Sequence, residues 1–116
     1  LLIANAKKLS NLCIIVDRNH FQANFPTEEL IPLEPLEEKF KSFGANVVSS
    51  NGHDFDAIDV AFEKIRENTN SVNIFIAETV RGKGIPSIEG DWEQWYMEYD
   101  EVQCDRLINE LVENMG

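Results

Sequence analysis

Apolar residues in this chain alternate between short unbroken runs and wider helical spacings. Leu12-Cys13-Ile14-Ile15-Val16 is five apolar residues in a row, bounded by Asn11 and Asp17. A run of that kind predicts a strand buried on both faces, as in parallel sheets covered by helices. Asn46–Ser50 predicts a second short strand. Val72–Val80 predicts a third, with Ile74, Phe75, Ile76 and Ala77 at its buried centre. Between the runs the period lengthens. Leu36, Phe40 and Phe43 follow one another at helical spacing, with Pro35 placed as a first helical residue and Gly44 as a left-handed stop. Phe55, Ile58, Phe62 and Ile65 make the buried stripe of another helix, capped by Asp54. Asp100 with Gln103 forms a capping box ahead of a closing helix, whose Ile108, Leu111, Val112 and Met115 are expected to pack on the sheet. Leu1–Leu9 suits the last turns of a helix, with Lys7 and Lys8 at its negative pole. Ala23–Leu33 and Ile85–Tyr99 have no stable period and read as loops.

Strands alternating with helices predict an α/β domain with a parallel sheet flanked by helices. At 116 residues the chain holds one domain, 1–116. It begins at Leu1 in what reads as mid-helix, so a partial, N-terminally truncated domain is expected. The net charge of −11 argues against nucleic-acid and anionic-membrane partners. No apolar run reaches membrane length. Cys13 and Cys104 lack metal-ligand spacing, and reduced thiols in a cytoplasmic protein are the simple expectation. His53, just ahead of a helix cap, is expected to be structural rather than catalytic.

Two polar turns follow predicted strands, at the strand ends where parallel sheets bind ligands. The first, Asp17-Arg18-Asn19-His20-Phe21-Gln22, offers carbonyl and amide oxygens suited to a hard cation. The second, Glu78-Thr79-Val80-Arg81-Gly82-Lys83-Gly84, frames two cations with glycines and suits a phosphate. If the strands are neighbours, the two turns together would hold a metal–phosphate pair. A receiver-like domain would need an acidic cluster at an early strand end, and Asp17 stands there alone.

Four segments in register resemble the transketolase family: Asn11-Leu12 with Ile15–Gln22, Pro35-Leu36 with Lys39-Phe40 and Phe43-Gly44, Asn51–Asp54, and Glu78–Ile85. The likeness is to the thiamine-diphosphate-binding N-terminal domain, especially the split bacterial form carried on a separate subunit. It implies thiamine diphosphate held through Mg²⁺ or Ca²⁺, with Asn19 as side-chain metal ligand and Phe21 supplying a main-chain carbonyl. By the same resemblance Arg81 and Lys83 lie near the diphosphate, and Asp17 orients the turn. The implied reaction moves a two-carbon ketol unit between sugars or sugar phosphates. It needs a second transketolase subunit or domain carrying the pyrimidine-binding half, in an oligomer.

The chain departs from the family pattern at three places. The Gly-Asp-Gly motif that supplies a further metal ligand is absent. Asn24-Phe25 stands where relatives often carry an acid and a glycine. The Trp-His pair of relatives is replaced by Trp95-Tyr96, so Tyr96 is the only catalytic candidate on that segment, as a hydrogen-bond donor rather than a base. Two alternatives stand beside the transketolase reading: another thiamine-dependent enzyme such as a deoxyxylulose-type synthase, and a catalytically silent α/β assembly module.

Overall fold

The computed structural model describes residues 1–114, so Met115 of the expected closing stripe lies outside the described residues. These residues divide into two compact units, Leu1–Arg18 with Ile31–Thr79, and Asn19–Leu30 with Val80 onwards.

The first unit is a three-stranded parallel sheet with helices. Its elements are α1 (Leu2–Ala6), β1 (Cys13–Arg18), α3 (Leu36–Ser42), β4 (Asn46–Asn51), α4 (Phe55–Glu67) and β5 (Asn73–Glu78), in the strand order β1-β5-β4. β5 pairs with β1 from Cys13 opposite Asn73 to Arg18 opposite Glu78, and with β4 from Asn46 opposite Asn73 to Asn51 opposite Glu78. The α/β class with a parallel sheet is therefore as the hydrophobic pattern predicts.

Side-chain alternation along β5 builds two cores. Ile74 and Ile76 join Val72 and Ala45 on one face, against Ala4 of α1, Leu36 and Phe40 of α3, and Val16 and Val47. Phe75 and Ala77 join Ala61 and Ile65 of α4 on the other, against Ile58, Phe62, Val48 and Cys13. Phe62 and Phe75 meet as a tilted ring pair with centroids 5.4 Å apart.

The strand buried on both faces is β5, not β1. Ile15 is 60% exposed and Ile14 37% exposed, because β1 is an edge strand of the three. An unbroken apolar run marks a strand that two layers could cover. Which run takes the centre depends on the crossovers. β1 also runs further than its apolar core: Asp17 and Arg18 belong to the strand rather than to the turn. Arg18 is 3% exposed and its Nε and Nη2 donate to Glu34 Oε1 at 3.0 and 2.8 Å. The other Glu34 oxygen accepts the Leu36 N–H at 2.9 Å, so one carboxylate pairs a buried charge and caps a helix.

Asp54 caps α4 as expected, its Oδ1 accepting from the Ala57 N–H at 3.1 Å. Phe55 does not belong to the buried stripe: it is 89% exposed, and Ala61 takes the inward place. Phe55 is the first helical residue, at the edge of the stripe where the helix has barely met the sheet. Pro35 precedes α3 rather than opening it, while Gly44 takes the left-handed conformation foreseen for it, at φ +81. α1 ends at Ala6, so Lys7 and Lys8 follow the helix rather than closing its last turn. Around α3, Lys41 pairs with Glu37 at 2.9 Å and Glu38 at 3.0 Å on the open surface, and these hydrogen bonds raise its pKa.

The second unit holds the hairpin β2 (Phe21–Gln22) and β3 (Phe25–Pro26), the short α2 (Thr27–Leu30), a 3₁₀ turn at Trp92–Tyr96 and α5 (Glu101–Asn114). The expected loop over Ala23–Leu33 thus contains a β-arm and a helical turn, too short to leave a period in the sequence. The capping box forms in both directions: the Gln103 N–H donates to Asp100 Oδ1 at 2.8 Å and the Asp100 N–H to Gln103 Oε1 at 3.0 Å. α5 buries none of its described residues, and Ile108 and Val112 are exposed at 57% and 64%. Of the expected stripe Leu111 is half-buried, while Ile108 and Val112 stay open. No described helix is long and apolar enough to cross a membrane.

Candidate functional site

The two polar turns singled out in the sequence leave neighbouring strands, because β1 and β5 pair in register to Arg18 opposite Glu78. Ahead of the turns, the Thr79 hydroxyl donates to Asp17 Oδ1 and the Thr79 N–H to the Arg18 carbonyl at 3.2 Å. Asp17 therefore ties two strand ends together.

From Asn19 and from Val80 onwards the two turns belong to the second unit. In the first, Asn19 Oδ1 accepts the Phe21 N–H at 3.0 Å, the hydrogen bond of an Asx turn. His20 between them has φ +67, in the left-handed region. The His20 carbonyl accepts from the Thr27 N–H at 2.9 Å and the Thr27 hydroxyl at 3.2 Å, which anchors the hairpin.

Phe21 faces Pro26 across β2 and β3. Its N–H is spent on Asn19, and Pro26 has no N–H to give. Phe21 therefore sits at a non-hydrogen-bonded position of the ladder, with its carbonyl turned away from β3. The turn thus presents two neutral oxygens, an amide and a carbonyl, of the kind a hard divalent cation accepts. Among the described residues no three His, Cys, Asp or Glu side chains converge to hold a metal by themselves.

The second turn is folded on itself. The Gly90 N–H donates to the Arg81 carbonyl at 2.8 Å, and the Lys83 N–H to the Val80 carbonyl at 3.2 Å. Gly82 has φ +73, and a Cβ there would lie 2.7 Å from the Ile88 carbonyl oxygen, so both the backbone and the space demand glycine. Lys83 Nζ lies 3.2 Å from Glu89 Oε1 and remains half exposed. The Gly84 N–H donates to the same carboxylate at 3.0 Å.

Arg81 joins the two turns. Its Nη1 donates to the Ala23 carbonyl at 2.6 Å. Its guanidinium carbon stands 5.1 Å from the Phe21 ring centroid and 4.8 Å from that of Trp95. Trp95 lies in the 3₁₀ turn whose start is capped by Asp91, Oδ1 accepting the Glu93 N–H at 2.9 Å. Tyr96 is 71% exposed and meets Trp95 edge-on at 6.4 Å. Of the sequence candidates, Asn19, Phe21 and Arg81 thus form one connected group. Lys83 is held by Glu89, and Tyr96 touches the group through Trp95. A cavity of about 200 Å³ in the same unit is lined by Ser87, Gln94, Tyr99, Gln103 and Arg106 among others, and by none of the candidates. Sequence reasoning missed Phe21's ring and Trp95 as partners of Arg81. Only the aromatic richness of the 92–99 segment hinted at them.

This architecture, an α/β sheet with paired polar turns at its strand ends, defines a cofactor-binding class of domain. Residues 2–105 match the family model described as transketolase, thiamine diphosphate binding domain, and the chain belongs to that family. It is 32% identical over 110 residues to the 6-deoxy-6-sulfo-D-fructose transketolase subunit SqwG of Clostridium sp. (strain MSTE9), covering 95% of this chain and 40% of that relative. It is 34% identical over 89 residues to an apulose-4-phosphate transketolase subunit of Phocaeicola vulgatus, covering 77% and 32%. The transketolase of Campylobacter jejuni superposes with a TM-score of 0.81 at 27% identity, covering 97% of this chain and 17% of that one. A Pichia stipitis transketolase shares the fold, with a TM-score of 0.70 at 19% identity. The chain spans two-fifths or less of the length of these relatives.

Proposed function

We propose that this chain supplies the diphosphate-binding part of a transketolase-type enzyme. In this reading a divalent metal, Mg²⁺ or Ca²⁺, is held by the amide oxygen of Asn19 and the main-chain carbonyl of Phe21. Lys83 and Arg81 bring positive charge to the turn that faces the anionic diphosphate. The observation that carries the reading is the Asx turn: the Asn19 oxygen and the outward Phe21 carbonyl form a neutral, oxygen-only donor set. Two protein oxygens do not complete an octahedron, which agrees with a metal shared with phosphates and with a further ligand from elsewhere.

Thiamine diphosphate, when bound, supplies the chemistry of two-carbon ketol transfer between sugars or sugar phosphates. This chain's part is to fix the metal, orient the diphosphate and neutralise its charge. Two of its relatives are named as transketolase subunits, which supports a partner subunit that carries the pyrimidine-binding half, within an oligomer. Tyr96 is the hydrogen-bond donor that this segment offers to a substrate.

The test is calorimetric titration of thiamine diphosphate into the native chain, alone and with the adjoining transketolase subunit, with and without Mg²⁺. Binding that requires both Mg²⁺ and the partner is the expected result. Folded protein that binds under neither condition would refute the proposal and leave a silent assembly module in its place.

A further inference from the structure

Arg81 occupies the position that the family resemblance puts near the diphosphate, and it also makes three contacts within its own unit. Nη1 donates to the Ala23 carbonyl at 2.6 Å, and the guanidinium stands over the rings of Phe21 and Trp95. Ala23 is the first of the two residues that join β2 to β3, and it has φ +53, where a side chain is disfavoured. Phe21 carries the carbonyl of the candidate metal turn, and its N–H donates the Asx hydrogen bond to Asn19 Oδ1. Arg81 therefore touches the hairpin at its strained loop and at its ligand-bearing residue, from a base in the glycine turn.

We infer that Arg81 is a positioning residue: it clamps the Asn19–Phe21 turn, with Trp95 as the third member of the clamp, and acts on the cofactor through that turn rather than by touching phosphate. A β-hairpin with strands of two residues each has little stability of its own. Cation–π contact with two rings and a short hydrogen bond to the loop add to the Thr27–His20 hydrogen bonds at its base. The planar guanidinium is the part that does this. A lysine keeps the charge but neither stacks as a plane nor bonds in the same direction. For its bearing on the cofactor, the inference rests on the reading of function above.

The experiment compares Arg81→Lys, Arg81→Ala and Trp95→Leu in the full native chain. Hydrogen exchange of the Phe21 amide is followed without ligand, and Mg²⁺-dependent thiamine diphosphate binding with the partner subunit present. Phe21 exchange is expected to accelerate in all three. Both Arg81 variants should bind about tenfold more weakly, and Trp95→Leu a few-fold more weakly although it removes no charge. Wild-type binding by Arg81→Lys, with a loss in Arg81→Ala that high salt abolishes, would mean direct charge contact and overturn the clamp. Unchanged Phe21 exchange in the variants would overturn it whether or not the cofactor binds. Faster exchange in a protein whose wild type binds no cofactor would refute the functional reading and leave the clamp standing.

Discussion

Asn73 is wholly buried at the first residue of β5, and its side chain joins three separate parts of the first unit. Its Nδ2 donates to the Ser10 carbonyl at 2.8 Å, in the turn before β1. Its Oδ1 accepts from Asn46 Nδ2 at 2.9 Å, at the start of β4, and from Asn68 Nδ2 at 2.8 Å, at the end of α4. Replacing it by alanine removes three neutral hydrogen bonds, each worth about 1 kcal/mol net. The expected loss is about 3 kcal/mol, a large fraction of the 5–15 kcal/mol typical of a domain. Asn68 softens the loss, because its amide also donates to the Ser71 carbonyl at 2.7 Å. Asn73→Asp keeps the acceptor and loses the donor. Burial favours its protonated form, so its deficit should grow as pH rises through and above about 4. Urea unfolding followed by far-UV circular dichroism reads both variants. The midpoint should fall while the slope stays constant, since the surface exposed on unfolding is the same. A loss below about 1 kcal/mol at constant slope would refute the reading of these three hydrogen bonds as a stabilising network.

Asn19→Ala should weaken Mg²⁺-dependent thiamine diphosphate binding by at least about tenfold while leaving the first unit's stability unchanged; equal affinity in calorimetry would remove Asn19 from the metal turn. Ile65→Ala should cost about 3 kcal/mol, whereas Phe55→Ser should stay within about 0.5 kcal/mol, a contrast read from thermal unfolding. Burial pushes the Cys13 thiol above its ordinary value of 9.0, only partly offset by a backbone hydrogen bond with Phe75. Its neutral form is the one the fold favours, so that contribution to stability is intact below pH 9.0 and lost as pH rises through the shifted value. Cys13 should accordingly alkylate more slowly than the exposed Cys104, and mass spectrometry of the two peptides after timed iodoacetamide treatment checks the order.

Much of this protein is written in local pattern. Strands and helices alternate along the chain, and that alone defines a parallel α/β sheet, since parallel strands need crossovers. Asp54, Gly44 and the Asp100–Gln103 box mark element ends because capping is a short-range matter of one side chain and the backbone beside it. Asn19 and the Arg81–Gly84 turn stood out because polar turns after apolar runs fall where such sheets bind ligands. What local pattern leaves open is which strand lies in the middle. Leu12–Val16 and Ile74–Ala77 are equally apolar, yet pairing on both sides buries β5 and leaves Ile15 of β1 exposed. Phe55 likewise keeps helical spacing with Ile58 but lies beyond the reach of the sheet. The partners of Arg81 and Asn73 are the clearest case. Ala23 and Trp95 stand far from Arg81 in sequence, and Ser10 far from Asn73, so no periodicity links them. Long-range hydrogen bonds and ring contacts exist only once the chain has closed, so the contacts of Arg81 with Ala23, Phe21 and Trp95 were decided by the tertiary structure alone.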